Sequence, residues 1–214
     1  MKTLSKKSLQ EYKNEESKQN ANATKEKEGL FWKYVFDVDG TLKKKIPSLF
    51  NTTFCVGEKS IEVSGIFEQD NNVSGIGFEG GAINRKVFEF LSNNTTVEWG
   101  LSLSPTRGQG YLYSSNLEKD LIPSFALRSG YEEFYHNHGS EIAGQGCSKK
   151  VIEAYDHPSQ GDKDKYGQKI MDKYNYSGFY IYNEANEKEP YHKWDSSTDS
   201  MEKYCEENGL ECKS

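Results

Sequence analysis

The stretch EEFYHNHGS, residues 132–140, decides how this chain is read. In extended backbone, side chains two apart share a face. Phe134, His136 and His138 therefore project to one side of a strand, and Tyr135 and Asn137 to the other. Two imidazoles at that spacing can reach one ion. Neutral nitrogen donors favour Zn²⁺, bound at about 2.0–2.1 Å, and a catalytic zinc keeps one position open for water. The chain has four histidines, and two of them stand here. Such pairs also occur as plain surface residues, so the motif needs a third ligand and a base before it carries chemistry.

The third ligand is sought in PSQGD, residues 158–162. Ser159 and Asp162, three apart, read equally as a helix start, with serine at the cap and an acid closing the first turn. The two readings are compatible, because a cap would hold Asp162 rigidly. Asp156 and His157 in the same loop are alternative ligands. The base is sought in TTVEWGLSLSP, residues 95–105, where Val97, Trp99, Leu101 and Leu103 alternate with Glu98, Gly100, Ser102 and Ser104. That is a half-buried strand with Glu98 on its polar face. Apolar neighbours disfavour the charged carboxylate and raise its pKa toward a useful value. The plain alternative for Glu98 is a solvent-facing residue.

In chain order these elements are Glu98 after a first helix, then His136 with His138, then Ser159 with Asp162. They resemble the motif of the JAMM (JAB1/MPN) zinc metalloprotease family, closest to the bacterial JAB-like domains at the ends of polymorphic toxins. The resemblance covers about residues 80–185, and GFYIYNEANEKEPYHKWD, residues 178–195, is similar to the closing hairpin of those domains. It implies a mixed, curved β-sheet flanked by helices, layered as in the cytidine deaminases. It implies zinc held by His136, His138 and Asp162, Glu98 moving the proton, and Ser159 hydrogen-bonding the oxyanion or the attacking water. The reaction implied is hydrolysis of a peptide or isopeptide bond in a protein or peptide substrate. The toxin-like branch further implies an effector delivered by a bacterial secretion system, with a cognate immunity or delivery protein as partner. The chain departs from the family pattern in having Gly139 where proline is usual, and in a long interval, residues 139–158, between His138 and Ser159. A surface loop tolerates such length at small entropic cost.

The rest of the chain frames this reading. At 214 residues it is long enough to bury a core. Residues 1–29 are polar and read as a disordered or helical leader, residues 30–80 as a β-rich N-terminal addition, residues 81–195 as the catalytic region, and residues 196–214 as a tail that is a short charged helix or a frayed end. The class expected is α/β in the broad sense, α+β included. Helices are expected over AINRKVFEFLSNN, residues 82–94, with Ile83, Val87, Phe90 and Leu91 as the apolar stripe, and over residues 159–175. The net charge of −6 carries no basic footprint for nucleic acid. No apolar run approaches the length of a membrane span, and no apolar secretory signal opens the chain, so a protein made in the cytoplasm is expected. The cysteines at 55, 147, 205 and 212 match no zinc spacing and read as reduced packing residues.

One rival is FDVDGTL, residues 36–42, which resembles the aspartate box of the haloacid dehalogenase-like, Mg²⁺-dependent phosphatases. There Asp37 would be nucleophile and Asp39 acid, with Ser104, Lys149 or Lys150, and Asp162 with Asp164 as the remaining parts. The residues that follow are turn-rich and β-rich, where that fold alternates strand and helix. The same residues make a hairpin turn, with Asp and Gly supplying side-chain hydrogen bonds and positive φ. The turn is the expectation. A calcium loop lacks its remaining ligands. A further rival is an MPN-like binding scaffold without activity.

Overall fold

A computed structural model describes residues 31–71, 73, 75–115, 127–138, 149–166 and 172–211. The expected leader and the middle of the expected second helix lie outside the described residues. The fold is mixed α+β with two mixed sheets. The smaller sheet contains β1 (Phe31–Phe36), β2 (Leu42–Ser48), β3 (Thr52–Val56) and β4 (Lys59–Val63), in the order β2-β1-β3-β4. The larger contains β5 (Phe67–Asp70), β6 (Ile76–Gly80), β7 (Gly100–Ser104), β8 (Gln109–Ser114), β9 (Glu133–Asn137), β10 (Gly178–Tyr182) and β11 (Tyr191–Trp194), in the order β11-β10-β9-β7-β8-β6-β5. β9 and β10 run parallel, and the other neighbours in this sheet are antiparallel. The expected boundary at residue 80 thus cuts a sheet, since β5 and β6 pair into the same ladder as the strands beyond it. Alternation marks a strand but does not name its partners.

Helix α1 (Arg85–Ser92) is capped by Asn84, whose side chain accepts from Lys86 N and Val87 N. Its buried face is Val87, Phe88 and Leu91, with Phe90 only partly covered. Ile83, Val87 and Leu91 of the expected stripe are buried, and Phe88 joins them. α2 (Lys149–Ala154), α3 (Gln160–Tyr166) and α4 (Met201–Asn208) follow. α2 falls in the interval expected to be loop, and α4 is the ordered form of the expected tail helix.

The period-two pattern of the central strands sorts their side chains onto two faces. On one face Trp99, Leu101, Leu112, Phe78 and Tyr135 pack with α1 and with Tyr34, Phe36 and Phe54 of the smaller sheet. Phe78 meets both Tyr34 and Phe54 edge-on at 5.0 Å, a favoured geometry for aromatic pairs. Much of this face is covered by a sheet where helices were expected to flank it. On the opposite face Tyr111, Tyr113, Phe134, Phe179 and Ile181 form a second cluster. A third, small cluster of Ala154, Met201 and Cys205 joins α2 to α4. Cys55 is free and buried. Cys205 is disulfide-bonded, so the expectation that every cysteine is reduced is corrected at that position. Among the described residues no helix is long and apolar enough to cross a membrane.

Candidate metal centre

The centre lies where β9 leaves the larger sheet. Phe134 belongs to the second core cluster and Tyr135 to the first, so the strand alternates as its sequence requires. His136 follows Phe134 onto the same face, its ring stacked at 5.9 Å on Phe134 and fully buried. His138, one residue beyond the strand, lies with its ring centroid 5.2 Å from that of His136.

Asp162 arrives from α3, and the geometry of the helix start explains how. Ser159 Oγ accepts from Asp162 N at 3.1 Å, and Asp162 Oδ2 accepts from Ser159 N at 2.9 Å. This reciprocal arrangement is a capping box. The Ser159 hydroxyl also donates to Asp162 Oδ2 at 2.7 Å. The box aims that carboxylate at β9. Both His136 Nε2 and His138 Nε2 lie 3.3 Å from Asp162 Oδ2. For His138 the geometry is that of a hydrogen bond, whereas for His136 the alignment fails. Both Nδ1 atoms and His136 Nε2 are buried without a hydrogen-bond partner among the described residues. Burial pushes the Asp162 carboxyl up, but the two imidazoles, His136 foremost, hold it well below the usual carboxylate range. It is therefore an anion in a largely buried site.

His136, His138 and Asp162 thus form a group able to hold a metal ion. A tetrahedron with bonds of about 2.0–2.1 Å has edges of about 3.3–3.4 Å, which is the spacing between each imidazole nitrogen and the carboxylate oxygen. An ion would also give His136 Nε2 a partner, without which a fully buried polar atom is costly.

Glu98 stands just before β7, partly buried. β7 pairs with β9 in the register Gly100↔His136, and one step on Asn137 N donates to Trp99 O at 3.3 Å. Position 98 is therefore level with position 138. Val97, Trp99 and Leu101 belong to the core cluster on the other face, and Glu98 stands between the first two.

The alternative ligands are engaged elsewhere. Asp156 Oδ1 is 3.0 Å from His192 Nε2 and accepts from Asn183, and its Oδ2 accepts from Asn186. His157 stacks on Tyr204 at 4.6 Å. The rival box is a turn. Asp37 N donates to Thr41 O, Gly40 has φ 74°, Asp39 Oδ1 accepts from Thr41 N, and Asp37 pairs with Lys43. Of its other parts, Ser104 donates to Glu132, Lys149 pairs with Glu153 and Asp164 accepts from Gln160. The buried carboxamide of Asn137, which accepts from Trp99 N and donates to Val97 O, was not anticipated from the sequence. Its only sequence trace is a polar residue at an inward position of an apolar strand.

Compared with known protein families, with curated proteins and with solved structures, the chain matches none.

Proposed function

We propose that this chain is a zinc-dependent hydrolase of peptide or isopeptide bonds. The observation that carries the reading is the convergence of two imidazole nitrogens on one carboxylate oxygen, each at 3.3 Å, in a buried site. Two neutral nitrogens and one carboxylate match the ligand set of a catalytic zinc, with one position left for water. His136, His138 and Asp162 would hold the ion. When bound, zinc supplies a water acidified toward neutral pH and Lewis-acid polarisation of a carbonyl.

The chain's own residues supply the remainder. Glu98, level with His138, takes a proton from the attacking water and delivers it to the leaving amine. Ser159 spends its hydroxyl hydrogen on Asp162 Oδ2 and receives Asp162 N. Its part is to orient the ligand, where the family resemblance implies contact with the oxyanion. Such support of a ligand typically changes metal affinity by about 10–100-fold.

Elemental analysis of protein purified without chelators tests the reading. About one zinc per chain is expected. It should be lost in His136→Ala, His138→Ala and Asp162→Asn and kept in Glu98→Gln, with peptide hydrolysis lost in all four. Folded protein that takes up no zinc would sink the proposal. Zinc without hydrolysis of any peptide library would favour a scaffold. The same resemblance extends the proposal to a secreted effector opposed by an immunity protein. Growth arrest on expression in bacteria, relieved by Glu98→Gln, tests that extension.

A further inference from the structure

We infer that Asn137, between the two histidines, is a positioning residue that sets where Glu98 stands relative to the metal ligands. The inference rests on the reading above.

In a regular antiparallel ladder, a hydrogen-bonded pair exchanges both N–H···O bonds. Asn137 and Trp99 exchange only one through the backbone, Asn137 N to Trp99 O. The return bond goes from Trp99 N to the side-chain Oδ1 of Asn137, at 2.7 Å. The Nδ2 of the same carboxamide donates to Val97 O at 3.4 Å. Regular pairing of β7 with β9 ends one residue earlier, at Gly100↔His136. A side-chain oxygen has replaced the backbone carbonyl as the acceptor of Trp99 N, while the other backbone bond of the pair is kept.

Val97 O belongs to the peptide unit before the Glu98 Cα, and Trp99 N to the unit after it. One carboxamide therefore holds both, and with them the φ and ψ of Glu98. The orientation is unambiguous, because only Oδ1 can accept from N–H and only Nδ2 can donate to C=O. Asn137 is 3% exposed, so neither bond competes with bulk water. The far end is fixed as well. Trp99 Nε1 donates to Thr95 Oγ1 at 2.8 Å, and Thr95 Oγ1 donates to Leu91 O of α1 at 2.8 Å. Because Asn137 is flanked by both histidine ligands, the brace ties base and ligands to one rigid reference. Asn137 itself acts only through Glu98.

The test has two readouts. The first is hydrogen exchange at Trp99 N–H in protein without added metal. Asn137→Ala should speed it by about fivefold or more, the loss of one buried hydrogen bond, while Asn137→Asp, which keeps the acceptor, stays slow. Unchanged exchange in Asn137→Ala overturns the inference whether or not the chain binds metal. The second is the visible spectrum of the cobalt(II)-loaded protein. Asn137→Ala should bind one equivalent of cobalt as the parent does and shift the bands as Glu98→Ala does. The double variant should shift them no further. Additive shifts would mean that Asn137 acts on the histidines themselves, and a parental spectrum that it does not act on the site; either overturns the inference. If the alanine variant does not fold, Asn137→Leu fills the space without polar atoms and carries the same comparison.

Discussion

Asp162 serves two structures with one carboxylate, closing the first turn of α3 and facing the two imidazoles. Removing the Ser159 hydroxyl should therefore act on both. Ser159→Ala is expected to cost about 1 kcal/mol of stability in denaturant unfolding and about 10–100-fold in zinc affinity by competition titration. A second titratable pair lies apart from the centre. Burial lowers the pKa of His192, but its bond to Asp156 overcomes this and raises it above the usual value. A raised folded-state pKa stabilises below the unfolded value of about 6.5, and the gain is lost as pH rises through the folded value. Asp156→Asn should therefore lower Tm more near about pH 5.5 than near about pH 8.5, read by thermal melts across pH. A difference independent of pH would refute the pairing. His136, His138 and Asp162 were each legible from spacing. The contact of Asn137 was not, because its partner Trp99 stands 38 residues away in sequence.

At the scale of elements, the hairpin at residues 37–41 and the strand β8 make separate predictions. Asp37 is half-exposed and its pairing with Lys43 spans 3.3 Å, so Asp37→Asn should cost less than about 1 kcal/mol and leave zinc content and peptide hydrolysis unchanged. Phosphate release abolished by that substitution would revive the phosphatase reading. Gly110 in β8 has no room for a side chain, since a Cβ there would overlap the carbonyl of Ile83 just before α1. Gly110→Ala should destabilise by about 1–3 kcal/mol, measured by urea denaturation. The strands and α1 were readable from period-two and helical periodicity. The helix α2 was not, because a six-residue helix has too few turns to show a period and depends on packing.

For the molecule as a whole, the centre bridges the larger sheet and α3, so an ion there ties together parts of the chain 24 residues apart. Zinc at about a hundred times its Kd should add about 2.7 kcal/mol, and chelation should remove it. That corresponds to about 5–10 °C in Tm by differential scanning calorimetry, and His138→Ala should show no such response. A parental Tm indifferent to zinc and chelator would contradict the proposal. By itself, the amino-acid order determined which residues face which way. Alternation assigned His136 and His138 to one side of β9, and the Ser-x-x-Asp spacing defined the helix start. Only the tertiary structure decided that β5 and β6 join the larger sheet, that a second sheet covers one of its faces, and that Asp162 rather than Asp156 reaches the histidines. The physical reason is range: periodicity and capping are local, whereas strand order and ligand convergence follow from which apolar faces bury one another.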